Sequence, residues 1–96
     1  MWEVRETVTF SSWLSGLRDA RAKAEVARRV RRLALGDPGD VKPVGEGVRE
    51  LRIHYGPGYR VYYVQRGSLL IILLCGGEKS GQAKDIALAW KLAKEV

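Results

Sequence analysis

Residues 48–76 read "VRELRIHYGPGYRVYYVQRGSLLIILLCG", and the fold follows from how this stretch divides. Gly-Pro-Gly at 56–58 and Arg-Gly-Ser at 66–68 are turn formers. Three extended segments emerge between them: Val48–Tyr55, Tyr59–Gln65 and Leu69–Gly76. Links this short predict an antiparallel meander. The run "LLIILLC" at 69–75 lacks alternation, which predicts a strand buried on both faces.

A three-residue connection at Gly56–Gly58 pairs Tyr55 with Tyr59. His54, Ile53, Arg52 and Leu51 then stand opposite Arg60, Val61, Tyr62 and Tyr63. Alternation puts Leu51, Ile53, Val61 and Tyr63 on a core face, and Glu50, Arg52, His54, Arg60 and Tyr62 on a polar one. Cross-strand neighbours lie about 5 Å apart, so two guanidiniums and an imidazole converge. Their repulsion is ~1 kcal/mol after screening. Either Glu50 relieves it by pairing with Arg52, or an anion such as a nucleic-acid phosphate does. One acid cannot neutralise the whole group, which favours the anion. Tyr62 either stacks on a base or packs.

Upstream, "WEVRET" (2–7) alternates and predicts a strand. Residues 9–17 suit a helix capped by Thr9, with Phe10, Trp13, Leu14 and Leu17 at helical spacing. From Asp19, a credible N-cap, to Leu35 the pattern is strongly amphipathic: Ala22, Val26, Val30 and Leu33 form one stripe. Arg21, Arg28, Arg31 and Arg32 lie on the other side, with Arg29 at the border. Either these arginines form a phosphate-facing ridge, Arg28, Arg31 and Arg32 foremost, or they are a solvated face. "GDPGD" at 36–40 ends the helix.

Beyond "GGEKSG", Gln82–Val96 returns to helical spacing with Ile86, Ala89, Trp90 and Ala93 on one side. Leu88 and Leu92 lie round the flank, either covered by a partner protein or buried on a second packing side. The predicted order is β-α-α-β-β-β-α. This is one α+β domain over residues 1–96, a small antiparallel-rich sheet with helices packed on one face.

Charge and cysteine content narrow the function classes. The chain has 96 residues, 17 Lys plus Arg against 11 acids, and a net charge of +6. That field favours phosphate-rich or acidic partners. Cys75 is the only cysteine and His54 the only histidine. An intrachain disulfide and a structural zinc site are thereby excluded, and Cys75 is expected to be a buried, inert thiol. The charged start "MWEVRETV" has no apolar signal core, and the run at 69–75 is far too short to span a bilayer. A cytoplasmic protein with no membrane association is the expectation.

The run 47–95, "GVRELRIHYGPGYRVYYVQRGSLLIILLCGGEKSGQAKDIALAWKLAKE", resembles the RelE/ParE superfamily of bacterial type II toxins. Within it the chain is most similar to the phage Gp49-like, HigB-type branch of addiction-module killer proteins. The carriers are "ELRI" at 50–53, "YRVYY" at 59–63 and "GGEKSGQAKDI" at 76–86. The resemblance implies a RelE-like fold, a cognate antitoxin (a DNA-binding protein encoded adjacently), and cleavage of mRNA on the ribosome. It implies neither metal nor cofactor: the RNA 2′-hydroxyl attacks the adjacent phosphate, leaving a 2′,3′-cyclic phosphate.

On that resemblance Arg60 falls on the family's phosphate-stabilising arginine. Arg52 falls near the basic residues of the preceding strand, and Lys79 on a second basic position. Lys84 and Asp85 occupy the region where relatives place a tyrosine, an aspartate or a histidine near the chemistry. With no Tyr or His there, His54 and Asp85 are the candidate general bases. Leu88 and Leu92 are the candidate antitoxin contacts. Two other classes remain open: a ParE-type inhibitor of DNA gyrase, and a basic RNA-binding module without toxicity. The convergence of Arg52, Arg60, Lys79 and Lys84 favours the nuclease.

Overall fold

The computed structural model describes all 96 residues. Strand β1 (Glu3–Glu6) leads into helices α1 (Val8–Gly16) and α2 (Ala20–Ala34). Strands β2 (Val41–Gly45), β3 (Val48–Ile53), β4 (Tyr59–Arg66) and β5 (Leu70–Glu78) follow, and a 3-10 turn at Lys79–Gly81 opens α3 (Gln82–Glu95). The five strands form one sheet in the order β1-β5-β4-β3-β2, antiparallel except for the β1–β5 pair. The α+β class and the antiparallel-rich sheet agree with the sequence reading.

Two features of the architecture differ from it. The segment "VKPVG" is strand β2, not a loop. Pro43 lacks a ladder donor and Gly45 sits at φ 95°, but an edge strand tolerates both. The helices also cover both faces of the sheet. Phe10 of α1 and Ala22, Val26 and Leu33 of α2 pack on Leu51, Ile53, Tyr59, Val61, Tyr63, Ile71 and Leu73. On the opposite face, Ala89 and Ala93 of α3 pack on Val48, Tyr62, Val64, Leu74 and Cys75. The physical reason is the composition of β4 and β5. A strand that is apolar on both faces needs cover on both.

A bulge in β5 organises this second face. Tyr62 opposes Cys75 while Tyr63 opposes Leu73, so Leu74 has no partner residue on β4. The extra residue turns Leu74 and Cys75 to the same side, toward α3. It also shifts the alternation that follows, setting Gly76 under the Trp13 ring of α1 and Gly77 under the Asp85 carboxyl of α3. The Leu74 carbonyl accepts the Thr7 hydroxyl at 2.6 Å, and Thr7 Oγ1 accepts from Phe10 N at 3.0 Å. The cap of α1 is therefore Thr7 rather than Thr9.

Helix α2 starts as its sequence predicts: Asp19 Oδ1 accepts from the amides of Arg21 at 2.9 Å and Ala22 at 3.3 Å. The β3–β4 connection is longer than predicted, running from His54 to Gly58, with Ile53 opposite Tyr59, Arg52 opposite Arg60, Leu51 opposite Val61 and Glu50 opposite Tyr62. A slip of two positions keeps every paired residue of β3 and β4 on its predicted face, while His54, predicted opposite Arg60, falls outside the ladder. It changes which residues meet.

Two glycines give a direct check on this packing. A Cβ on Gly76 would overlap the Trp13 ring, whereas nothing lies within 4 Å of one on Gly16. Gly76→Ala is expected to lower stability by about 1–3 kcal/mol through overpacking. Gly16→Ala, at a helical position, should be neutral or raise it by up to about 1 kcal/mol. Urea midpoints of the two variants measure the contrast.

Candidate functional site

The β3–β4 turn and the start of the 3-10 turn enclose a cleft of about 360 Å³ lined by His54, Tyr55, Gly56, Pro57, Gly58, Arg60 and Lys79. Gly58 makes the closure possible. It adopts φ 81°, and a Cβ there would come within 3.3 Å of Lys79 Cβ. Its carbonyl accepts the Lys79 amide at 2.8 Å. That bond holds Lys79 against the turn, beside Arg60.

Arg60 projects from β4 and is only 6% exposed. Its Nη1 donates to the Tyr59 carbonyl at 3.2 Å, and its buried Nε has no partner. Neither Arg60 nor Lys79 takes part in any ion pair. A nearly buried guanidinium with no counter-charge is costly unless an anion joins it.

Arg52, directly across the ladder from Arg60, is matched. Its Nε donates to Glu50 Oε1 at 3.0 Å. Glu50 is 1% exposed, and its Oε2 also accepts from Tyr62 Oη at 3.0 Å and Gln82 Nε2 at 2.8 Å. Burial pushes the Glu50 carboxyl up, but the bonds from Gln82, Arg52 and Tyr62 outweigh it and hold the group below its ordinary value. Glu50 thus resolves Arg52 and leaves Arg60 open. Tyr62, at 0% exposure, has no surface on which a base could stack; it packs in the core, and burial followed by the Glu50 bond raises its phenol strongly.

The other sequence-derived candidates fall outside the cleft. Asp85 lies in the first turn of α3 over Gly77, the residue that pairs with Arg60 on β5. Burial raises its carboxyl, partly offset by the exposed Lys84. On α2, Arg28 pairs with Glu25 at 3.0 Å and Arg32 with Asp37 at 2.9 Å, while Arg31 is exposed and unpaired. Leu88 is 38% exposed. Leu92 packs partly buried against the α3-side core, which leaves it less surface for a partner than the sequence predicts.

Two residues that the sequence does not single out belong to the site's support. Asp40 Oδ2 lies 2.6 Å from His54 Nε2. Arg29, at the border of the amphipathic pattern, is 6% exposed and donates to the carbonyls of Arg52 and Pro38. Only its place on the apolar margin of α2 hinted at burial. No group of three or more His, Cys, Asp or Glu side chains is arranged to hold a metal ion. No helix is long and apolar enough to cross a membrane.

The two-faced α+β fold is one that solved structures also contain. A copper-bound mutant toxin from Helicobacter pylori superposes with a TM-score of 0.61 over 83% of this chain and 97% of that one, at 20% identity; the likeness is one of fold. Residues 12–94 match the family model described as "Phage derived protein Gp49-like (DUF891)", and the chain belongs to that family. An uncharacterized protein of Haemophilus influenzae is 51% identical over 94 residues, which span 98% of this chain and 95% of that one. The Gp49-like resemblance read from residues 47–95 therefore extends over most of the chain.

The two carboxylates near the cleft should respond to acid in opposite senses. Glu50 is held below its ordinary value, so its contribution to stability is full above its unfolded pKa and is lost as pH falls through the lower folded one. Asp85 is held above, so ionising it near neutrality works against the fold. Glu50→Gln should lower the melting temperature at pH 7, with the deficit shrinking as pH falls below about 4. Asp85→Asn should raise it at pH 7, and the gain should shrink as pH falls through the raised folded pKa and be gone by about pH 4. Thermal melts from pH 3 to pH 7 read both.

Proposed function

We propose that this protein is the toxin of a type II toxin–antitoxin pair and a ribosome-dependent mRNA endoribonuclease of the RelE/ParE superfamily, HigB-type. The observation that carries the reading is Arg60: nearly buried, unmatched by any acid, and sharing a cleft with the equally unpaired Lys79. Such a pair suits the non-bridging oxygens of a phosphorane, whose negative charge grows in the transition state. The 2′-oxygen would bond to phosphorus as the bond to the 5′-oxygen breaks, in the metal-independent manner the superfamily resemblance implies. His54, which lines the cleft, and Asp85, which lies over Gly77 outside it, are the candidate groups to move protons. Arg52, tied to Glu50, would contribute field rather than a direct contact. Arg28, Arg31 and Arg32 would lie against ribosomal RNA, where exposed cations add salt-dependent affinity.

The antitoxin would cover the outer face of α3. Leu88 is exposed there, between Lys84 and Lys91 at helical spacing. An apolar side chain flanked by two cations suits an acidic amphipathic segment. Action on ribosomes places the toxin in the cytoplasm.

Expression of the chain without its partner should arrest growth, with cuts in ribosome-bound mRNA visible by primer extension. Arg60→Ala should slow cleavage by about two orders of magnitude, since a donor aimed at transition-state charge is worth roughly 3 kcal/mol. Lys79→Ala should weaken it less. Substitutions at Arg28, Arg31 and Arg32 should change the salt dependence of ribosome binding and leave single-turnover chemistry intact. Arrest through blocked DNA gyrase with translation intact would transfer the protein to the ParE-type class. No arrest at all would leave a basic RNA-binding module.

A further inference from the structure

We infer that Asp40 and His54 form a proton-accepting dyad on the cleft, in which His54 is the general base and Asp40 is its positioning residue. The inference rests on the reading of the cleft as an RNA-cleaving site, and it assigns the proton transfer that the reading leaves between His54 and Asp85.

The geometry has three parts. First, His54 lines the cleft together with Arg60 and Lys79, whereas Asp85 does not. Second, Nε2 lies 2.6 Å from Asp40 Oδ2, and no other hydrogen bond engages the ring. The Asp40 carboxyl is held below its ordinary value chiefly by this bond; burial opposes it, and the Arg52, His54 and Arg29 charges add smaller lowering effects. An ionised carboxylate can only accept. In the neutral ring the proton then sits on Nε2, and Nδ1 is the nitrogen free to accept one.

Third, Asp40 does not hang on a free loop. Its carbonyl accepts the Arg52 amide at 2.9 Å and Arg29 Nη2 at 3.5 Å, while the same Nη2 donates to Pro38 at 2.8 Å. The other terminal nitrogen, Nη1, donates to the Arg52 carbonyl. One buried guanidinium thus clamps the 38–40 segment to the end of β3, the strand that delivers His54. A base oriented by a third group fixed in its own place is the arrangement that proton abstraction needs.

A stabilising surface pair is the competing use, and it fits poorly. The side chains are 70% and 42% exposed, where ion pairs contribute little to stability. In the step itself, Nδ1 takes the 2′-hydroxyl proton as that oxygen bonds to phosphorus. The P–O5′ bond breaks with its electron pair on O5′, which is protonated by solvent water. Asp40 stays ionised and faces the imidazolium.

The test uses the full chain with programmed ribosomes under single-turnover conditions. His54→Ala should cut the rate by about a hundredfold or more, and Asp40→Asn by about tenfold or more, both with unchanged ribosome affinity. In the His54→Ala background, Asp40→Asn should have no further effect. If it slows both backgrounds equally, Asp40 is merely structural and the dyad is overturned. Because His54 is the only histidine, its ring ¹⁵N shifts give a reading independent of activity. They should report Nε2–H and an unprotonated Nδ1 in the wild type, and mixed tautomers in Asp40→Ala. A neutral ring that carries its proton on Nδ1 overturns the inference whether or not the protein cuts RNA. A wild type that cuts RNA while His54→Ala cuts at full rate removes the dyad alone. A wild type that cuts none removes the nuclease reading, and the dyad's catalytic role with it.

Discussion

Glu50 is buried where β3, β4 and the first turn of α3 meet, and its oxygens accept from Arg52, Tyr62 and Gln82. A carboxylate at that depth with no partners would cost several kcal/mol. Donors from the two strands and the helix offset the cost and tie the three elements to one point. The start of α3 is thereby fixed against the sheet, and with it the loop that carries Lys79. The same interaction divides the polar face electrostatically. Arg52 is matched; Arg60, its neighbour across the ladder, has no acid within ion-pair distance. The cationic character of the cleft is a consequence of where the one buried acid was placed.

The β5 bulge is the steric counterpart of that charge placement. Without the extra residue at Leu74, strict alternation would point Leu74 and Cys75 to opposite faces, and the α3-side core would lose one of them. Past the bulge, Gly76 and Gly77 let α1 and α3 approach the sheet from either side, Trp13 on one and Asp85 on the other. Strand β5 then passes directly into the turn that presents Lys79. The second core and the position of the cleft therefore share one backbone irregularity.

The net charge of +6 is unevenly used. On α2, Arg29 is an internal clamp on backbone carbonyls, Arg28 and Arg32 are engaged by acids, and Arg31 is free. A composition-level excess of cations produces a long-range field that steers anions. It does not say where an anion would be held. That depends on which cations lose both water and acid partners: Arg29 and Arg60 have, and Arg29 is committed to backbone carbonyls, which leaves Arg60.

Sequence alone determined what depends on local periodicity and turn chemistry. The amphipathic pattern of α2 with its Asp19 cap, the three strands between Val48 and Gly76, and the side each residue of β3 and β4 faces were all legible. The faces survived even though the turn was longer than predicted, because a slip of two positions preserves alternation. The family was legible in "ELRI", "YRVYY" and "GGEKSGQAKDI". Tertiary structure decided the rest. Strand β2 exists because an edge strand can absorb Pro43, and α3 lies opposite α1 and α2 because β5 is apolar on both faces. Whether Glu50 or a ligand would answer the arginines turned on Gln82 and Tyr62 closing around that carboxylate from other elements. The Asp40–His54 bond joins residues 14 positions apart and depends on a guanidinium from α2. Periodicity describes one element at a time; these contacts are between elements, so they exist only once the chain has folded.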